Sequence, residues 1–124
     1  MNERSLRHCR IAVVEDEYML ARDLRQELED AGAVVIGPEP SVGRALSRIA
    51  GEARIDAAVL DVNLGGESAF PIADALAARH TPFVFVTGYG EDATTGRYPG
   101  AVSCGKPLDM RALLGALEEV LRPA

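Results

Sequence analysis

The stretch that decides the fold is IAVVEDE, residues 11–17, in which four apolar residues are followed without a break by three acidic ones. A short apolar run rich in valine and isoleucine is typical of a strand buried on both faces, as in a parallel sheet. The carboxyl ends of parallel strands border the crevice in which open α/β sheets bind their ligands. The stretch therefore predicts a buried strand that delivers carboxylates to such a crevice.

Alternating helix and strand patterns continue from this point. Apolar residues between positions 20 and 31 recur at three- and four-residue spacing, which predicts an amphipathic helix. A second short strand over 34–36 is predicted to close at Gly37 and Pro38. Ser41 can then cap a second helix, because its hydroxyl can accept a hydrogen bond from a backbone N–H of the first turn.

The middle of the chain repeats this order. A third apolar run over 55–60 ends at Asp61, and a glycine-containing loop leads to a helix over 69–79. A fourth strand is predicted over 83–86 and ends at Thr87. These two strands thus end at the polar side chains of Asp61 and Thr87.

The last part of the chain is less regular. Residues 88–100, GYGEDATTGRYPG, have no apolar stripe to bury, so we expect a weak fourth helix and a mobile segment there. A short strand over 101–104 and a helix over 109–121 complete the pattern. Strands that alternate with helices predict an α/β domain with a doubly wound five-stranded parallel sheet flanked by helices.

Composition restricts the possible functions. The chain has 124 residues, enough for one domain, and no apolar run approaches the length needed to cross a bilayer. A net charge of -6 disfavours nucleic-acid binding, and no signal-peptide pattern is present, so we expect a cytoplasmic protein without membrane or nucleic-acid partners. Cys9 and Cys104 lack metal-ligand spacing and are predicted to be buried thiols.

Five polar residues follow the predicted strands and should converge at one edge of the sheet: Glu15, Asp16, Asp61, Thr87 and Lys106. Crowded carboxylates repel unless a cation intervenes, and hard oxygen ligands of this kind suit Mg²⁺. An aspartate can also be the nucleophile that forms an acyl phosphate. The lysine and the hydroxyl would then neutralise and bind the transferred phosphoryl group.

Each residue also has a simpler interpretation. Asp16 can be a helix cap or loop residue, Thr87 with Gly88 can be only a turn, and Lys106 before Pro107 can be a surface lysine. Asp61 has the stronger functional signal, because its apolar neighbours predict burial and a buried carboxylate without a partner is costly. The joint occurrence at the ends of alternate elements favours a shared site.

Four segments resemble the receiver domain of two-component response regulators: IAVVEDE, VLDVNLGG, FVFVTGYG and GKPLD. The resemblance extends over residues 11–121 and implies a flavodoxin-like receiver fold. It divides the chain into an N-terminal extension, residues 1–10, and a receiver domain, residues 11–122, with no output domain. It also implies that the protein is not a conventional enzyme, although it would catalyse its own phosphorylation and dephosphorylation.

The resemblance assigns roles to the site residues. Asp61 would accept a phosphoryl group from a histidine kinase or a phosphotransfer protein. Asp16 and Asp61 would bind Mg²⁺ together with the backbone carbonyl of Asn63, and Glu15 would act through a water ligand.

The same resemblance assigns the remaining polar residues to the phosphoryl group. Thr87 would hydrogen-bond to it and Lys106 would form its ion pair. Gly88 would leave the phosphate accessible because it is small.

A narrower resemblance is carried by PFVFVTGYG, residues 82–90, with Phe70 and Pro71. This segment is similar to the FAT GUY response regulators, although Val86 stands where that nickname has alanine. The similarity implies a single-domain protein and a kinase of the HWE or HisKA2 type as its partner.

One position departs from the general receiver pattern. Receivers usually carry an aromatic switch residue three positions before the lysine, where this chain has Ser103. The switch candidates are therefore Thr87, Tyr89 and Ser103. Tyr89 or Tyr98 can substitute for the missing aromatic, and the simpler interpretation of each is a packed or exposed tyrosine.

Three functions are compared on these residues. The leading hypothesis is a phosphate-accepting receiver that relays or sinks the phosphoryl group, or signals through contacts with an unknown downstream protein. The alternative is a phosphorylation-independent pseudo-receiver that only binds partners. A magnesium phosphohydrolase of the haloacid-dehalogenase type also uses an aspartate nucleophile, but it needs that aspartate after the first strand and a cap for which 124 residues leave little room.

Overall fold

The apolar runs of the sequence form one parallel sheet. The computed structural model describes residues 6–88, 98 and 101–122. Its elements in chain order are β1 (Arg10–Val14), α1 (Tyr18–Asp30), β2 (Val34–Glu39), α2 (Val42–Gly51), β3 (Ala57–Asp61), β4 (Asn63–Leu64), β5 (Glu67–Ser68), α3 (Phe70–Ala78), β6 (Phe83–Thr87), β7 (Ser103–Gly105) and α4 (Met110–Leu121). Strand and helix alternate as predicted up to β6, apart from the short pair β4 and β5, and most of the connection from β6 to β7 lies outside the described residues.

The strand order in the sheet is β2-β1-β3-β6-β7, and every neighbouring pair is parallel. The order reverses direction at β1 and β3, which is where ligands bind in sheets of this type. Strands β4 and β5 form a separate antiparallel hairpin directly after Asp61. The predicted doubly wound five-stranded sheet is confirmed.

Alternate residues of each central strand face two different cores. Ala12, Leu60 and Phe85 pack with the apolar faces of α2 and α3. Val13 and Val59 point to the opposite side and pack with α1 and α4. Because strand side chains alternate between faces, strands that are apolar throughout are buried by helices on both sides.

Some predicted boundaries are wrong. Strand β2 does not close at Gly37 and Pro38 but continues to Glu39, whose carbonyl oxygen accepts the N–H of Glu15 at 3.0 Å. Pro38 is tolerated because β2 is an edge strand, where a missing N–H breaks no ladder on the open side. The last strand is also shifted, to Ser103–Gly105 instead of 101–104.

Local signals at the helix ends agree better with the structure. The hydroxyl of Ser41 accepts the N–H of Arg44 at 3.3 Å, as predicted for the cap of α2. Asp109 caps α4 by accepting the N–H groups of Arg111 and Ala112. Side chains within one turn decide these caps, so the sequence is sufficient to predict them.

The burial of Leu6 and of the two cysteines also differs from the sequence-based expectation. Leu6, which the sequence pattern left unassigned, is fully buried with α1 and α4. Cys9 and Cys104 are half-buried instead of buried, and partial burial still raises the pKa of both thiols. A raised pKa lowers the thiolate fraction, so neither cysteine is a good nucleophile.

The prediction of a weak, mobile helix over 88–100 falls outside the described residues, except for Gly88 and Tyr98. Within the described chain, no helix is long and apolar enough to cross a membrane.

Candidate functional site

The strands deliver the predicted polar residues to the carboxyl edge of the sheet. Glu15 directly follows β1, Asp61 is the last residue of β3, and Thr87 is the last residue of β6. Lys106 follows β7, and its backbone N–H donates to the carbonyl oxygen of Thr87 at 2.8 Å. Because the strands are parallel and in register, these four residues end side by side.

Three carboxylates form a tight cluster at this edge. One oxygen from each of Glu15, Asp16 and Asp61 lies within 4.8 Å of the others. Glu15 and Asp61 are only 2% and 3% exposed, whereas Asp16 is exposed. Two buried acids therefore stand beside one that faces solvent.

Lys106 is the cation of the site. Its Nζ lies 2.8 Å from Oδ2 of Asp61 and 3.8 Å from Oε2 of Glu15. Burial lowers the pKa of the Lys106 amine, but the hydrogen bond to Asp61 and the charges of Asp61, Glu15 and Glu17 outweigh it, so the pKa is raised overall. Lys106 is consequently charged at neutral pH and anchored on Asp61.

The negative charge of Glu15 is only partly compensated by its neighbours. Burial is the main reason that its pKa is raised to about 7; the backbone N–H of Glu17 lowers it, the neighbouring Asp61 raises it and Lys106 lowers it. Its Oε2 accepts the N–H of Glu17 at 3.1 Å. Its Oε1 is buried and has no hydrogen-bond partner among the described residues.

The loop after β3 lies beside the acidic cluster. The N–H of Asn63 donates to Oδ1 of Asp61 at 3.0 Å, and Oδ1 of Asn63 accepts the N–H of Gly66 at 2.8 Å. Gly65 has φ +60° and lies close enough to Asp16 that a Cβ there would stand 3.8 Å from Oδ2. These contacts keep the loop beside the acidic cluster.

A cleft of about 320 Å³ opens over the cluster, and its walls are Asp16, Asp61, Asn63, Gly65, Gly66, Gly88 and Lys106. It contains the predicted nucleophile, an exposed acid and the lysine in one space. The sequence predicted a loop at the two glycines but did not assign them to the cleft. The signal that could have placed them there is the Asn-x-Gly-Gly order, which marks a turn directly after Asp61.

The switch candidates lie in different places. Thr87 is buried at the end of β6, and Ser103 is exposed on β7, where it pairs in register with Phe85. Tyr89 lies outside the residues that the structure describes.

The residues of the cluster fit a divalent metal. Three carboxylates within 4.8 Å supply hard oxygen ligands, which is the donor set that Mg²⁺ prefers. The buried Oε1 of Glu15, which has no hydrogen-bond partner among the described residues, is an oxygen that a hydrated cation would satisfy. The structure therefore supports the predicted location of the metal site.

The packing partners of Tyr98 were not predicted. The ring of Tyr98 packs in edge-to-face geometry against Phe70, Phe83 and Phe85, and its hydroxyl donates to Oδ1 of Asp74. No local pattern indicates this arrangement, because the partners come from α3 and β6.

Comparisons with known proteins agree with this geometry. The family model of the response regulator receiver domain matches residues 11–118. Comparison with curated protein sequences gave no match. The chain is similar to the solution structure of SdrG from Sphingomonas melonis Fr1, with 40% identity, a TM-score of 0.80, and coverage of 93% of this chain and 98% of that one.

Two further solved structures share the fold. A response regulator receiver protein from Sinorhizobium medicae WSM419 has 24% identity and a TM-score of 0.81, with coverage of 94% of this chain and 96% of that one. The response regulator PhyR from Brucella abortus has 24% identity and a TM-score of 0.82, and this chain spans half of its length. With the family model matched over nearly the whole sheet and its acidic edge, this chain belongs to the response regulator receiver domain family.

Proposed function

We propose that this receiver accepts a phosphoryl group on Asp61 from a phosphohistidine. The observation that carries the proposal is the environment of that carboxylate. It is 3% exposed, borders the cleft and is held by Lys106 at 2.8 Å and by the N–H of Asn63 at 3.0 Å. An anchored carboxylate with one face toward a cleft is positioned to act as a nucleophile.

The proposed transfer requires no further reactant. A carboxylate oxygen of Asp61 forms a bond to phosphorus as the bond from phosphorus to the histidine nitrogen breaks. The nitrogen keeps the bonding electron pair, and the product is an aspartyl phosphate. Lys106 stays near the transferred group, because it already bonds Asp61, and Thr87 at the neighbouring strand end supplies a hydroxyl donor.

Receiver domains bind Mg²⁺ at an acidic pocket. In this chain Asp16 and Asp61 would hold the ion with the backbone carbonyl of Asn63, and Glu15 would act through a water. When bound, the ion neutralises charge on the phosphoryl oxygens during transfer.

Receiver domains interact with histidine kinases or phosphotransfer proteins and are typically not conventional enzymes. We infer that residues 11–122 act as the receiver unit and pass their signal to a separate downstream protein, or relay or sink the phosphoryl group. Support comes from SdrG, whose chain is covered over 98% of its length. The segment 82–90 supports the FAT GUY subgroup and, with it, a kinase of the HWE or HisKA2 type.

The proposal is tested by incubating the protein with acetyl phosphate and Mg²⁺ and measuring the intact mass. We expect the wild type to gain one phosphoryl group and Asp61→Asn to gain none. Asp23→Asn, which changes an exposed aspartate on α1, should be labelled like the wild type. Chelation of Mg²⁺ should prevent labelling. Equal labelling of the wild type and Asp61→Asn would refute the assignment.

The same samples discriminate between the alternatives. A pseudo-receiver predicts no labelling and no Mg²⁺ binding near Asp16 and Asp61. A phosphohydrolase predicts continuous turnover when a phosphate ester is added in place of acetyl phosphate, whereas a receiver leaves the ester intact. The intact cluster of carboxylates and lysine favours the phosphate-accepting receiver over both.

A further inference from the structure

Strand β2 contains a bulge at its carboxyl end. Ala12 of β1 pairs with Ile36 of β2. The next pair, Val14 with Glu39, lies two positions further along β1 but three further along β2, so β2 carries one extra residue. Bulges bend the strand that contains the extra residue, and they are common at sheet edges and beside functional sites, where they redirect a side chain. Strand β2 is such an edge strand, and it borders the strand that leads to Glu15.

Gly37 and Pro38 account for the bulge. Pro38 has no backbone N–H, so a regular ladder that paired it with Val14 would lack one hydrogen bond. The extra residue brings Glu39 into that place instead. Gly37 has φ +105°, which L residues with a side chain rarely adopt. A Cβ there would also stand 2.8 Å from the backbone nitrogen of Glu39 and 2.9 Å from the carbonyl oxygen of Val13, and neither backbone atom can swing aside. Position 37 therefore requires glycine.

The bulge connects β2 to the acidic site. The carbonyl oxygen of Glu39 accepts the N–H of Glu15 at 3.0 Å. Because Glu15 lies just beyond the end of β1, this bond extends the pairing of the two strands as far as the site. Pro38 also lines a cleft of about 480 Å³ together with Glu15 and Asp16, so the end of β2 lies beside the acidic cluster.

The side chain of Glu39 is held by helix α2. One of its carboxylate oxygens lies 3.3 Å from Nη1 of Arg48, and the other lies 3.8 Å from Nε of Arg44. Glu39 therefore joins α2 to the site, through its side chain in one direction and through its carbonyl oxygen to Glu15 in the other.

Glu15 depends on this support because its carboxylate has few contacts of its own. Its Oε2 accepts the N–H of Glu17 at 3.1 Å and lies 3.8 Å from Nζ of Lys106. Its buried Oε1 has no hydrogen-bond partner among the residues that the structure describes. Asp61, by contrast, is bonded by Lys106 at 2.8 Å and by the N–H of Asn63 at 3.0 Å. The place of the Glu15 carboxylate is therefore set largely by its backbone.

We propose that Gly37 is a positioning residue for the predicted metal site. The bulge that it allows sets the carbonyl oxygen of Glu39 against the N–H of Glu15, and this bond holds the Glu15 carboxylate in the acidic cluster. The inference rests on the proposed function, in which Glu15 acts on Mg²⁺ through a water. A Cβ at position 37 would push the ends of β1 and β2 apart, and the Glu15 carboxylate would leave its place in the cluster.

The first experiment measures amide hydrogen exchange by NMR in the metal-free protein. The Glu15 amide should be protected in the wild type, although it lies beyond the end of β1, because Glu39 accepts its hydrogen. In Gly37→Ala it should exchange about tenfold faster, since this hydrogen bond is lost or weakened. Gly43→Ala adds a Cβ on α2 that meets no other group within 4 Å, and it should leave the Glu15 amide unchanged.

The same spectra exclude a general loss of stability. The amide of Val59, in the central strand β3, exchanges only when the core opens. Gly37→Ala should therefore speed exchange at Glu15 more than at Val59. An equal change at both amides, or an unprotected Glu15 amide in the wild type, would overturn the proposal.

The second experiment titrates Mg²⁺ by calorimetry. Gly37→Ala should weaken Mg²⁺ binding about tenfold, as expected when a group that supports a metal ligand is disturbed. Glu15→Gln should also weaken binding, and adding Gly37→Ala to it should cause no further loss, because Gly37 acts only through Glu15. A merely structural glycine would weaken binding by the same factor in both backgrounds. Gly43→Ala should bind Mg²⁺ like the wild type.

Pro38→Ala tests the bulge without a change at Gly37. Alanine supplies the N–H that regular pairing with Val14 requires, so the regular register competes with the bulge. The Glu15 amide should exchange faster and Mg²⁺ binding should weaken, both by less than in Gly37→Ala. Pro38→Ala replaces Gly37→Ala in both experiments if that variant does not fold, and wild-type values for it would then overturn the proposal.

The outcomes separate this inference from the proposed function. If the wild type is labelled on Asp61 while Gly37→Ala binds Mg²⁺ like the wild type, the role of Gly37 is overturned and the phosphoacceptor assignment stands. If exchange and titration give the expected results but the wild type is not labelled, the phosphoacceptor assignment is overturned and the role of Gly37 in metal binding stands.

Discussion

Two clusters of charged residues at opposite edges of the sheet use the same side-chain types in different ways. At the amino edge, Arg10 bonds Glu52 at 2.6 Å and Arg54 bonds Asp56 at 2.9 Å, so that two acids face two bases. At the carboxyl edge, Glu15, Asp16 and Asp61 form a cluster. Lys106 pairs with two of these acids, Asp61 at 2.8 Å and Glu15 at 3.8 Å.

The pKa values of the acids differ between the two clusters in the same way. At the amino edge the pKa of Asp56 is lowered, chiefly by its hydrogen bond to Arg54 and against a rise from burial, because its charge is compensated. At the carboxyl edge the pKa of Glu15 is raised to about 7, chiefly by burial. The charge of Lys106 lowers this pKa but does not offset the effect of burial. Buried carboxylates that lie close together repel each other, and a bound cation relieves this repulsion.

Mg²⁺ binding is the strongest test of the contrast between the two edges, because only the acids at the carboxyl edge are expected to bind the ion. Asp16→Asn should weaken Mg²⁺ binding by about a hundredfold, ~3 kcal/mol, because a carboxylate ligand is lost. Asp56→Asn should bind Mg²⁺ like the wild type. Isothermal titration calorimetry measures both, and equal affinities would contradict the assignment of the carboxyl edge.

A second prediction concerns the pH dependence of the metal-free protein. The carboxyl of Glu15 has an ordinary pKa of 4.5, which the fold raises to about 7, so its ionisation opposes folding. Below pH 4.5 the carboxyl is protonated in both states and has no effect; the penalty grows between pH 4.5 and 7 and is complete above pH 7. Glu15→Gln should therefore increase the free energy of unfolding by about 2 kcal/mol at pH 8, and by nearly nothing at pH 4.

Urea unfolding at both pH values checks this effect, with Glu52→Gln at the amino edge as the control. The control should lose stability, because Glu52 accepts hydrogen bonds from Arg10 and Arg48. A Glu15→Gln variant that is less stable than the wild type at pH 8 without Mg²⁺ would show that the site is already compensated.

The third prediction tests the amino edge itself. Asp56→Asn should lower the free energy of unfolding at pH 7 by about 1 kcal/mol, since it removes the charge that pairs with Arg54. The folded-state pKa of Asp56 is depressed, so its stabilisation is present at neutral pH and is lost as the pH falls through that pKa. The difference between variant and wild type in chemical denaturation should disappear in acid, while labelling by acetyl phosphate remains normal.

The smallest effect is expected for an ion pair that belongs to neither edge. Arg25 and Glu29 lie 3.4 Å apart on the exposed face of α1. Arg25→Ala should change the free energy of unfolding by only about 0.3 kcal/mol, because exposed pairs are screened by solvent and salt. If Arg25→Ala lowers the free energy of unfolding as much as Asp56→Asn does, solvent exposure does not explain the strength of these ion pairs. The contrast between the two edges would then need another cause.

Local patterns in the sequence determined the alternation of strands and helices, the caps at Ser41 and Asp109, and the polar residues that end the strands. These features depend on neighbours within a few positions, such as the period of apolar residues or a side chain one turn away. The location of the candidate site could be predicted for the same reason, because parallel strands bring their carboxyl ends together.

The tertiary structure alone decided the features that join distant positions. Only the folded sheet sets Lys106 2.8 Å from Asp61, leaves an oxygen of Glu15 without a partner in the described chain, and extends β2 past Pro38. The surroundings of Tyr98 likewise come from α3 and β6, so no periodicity around position 98 reveals them. Burial, charge balance and ring packing depend on distances across the fold, which the order of residues along the chain does not specify.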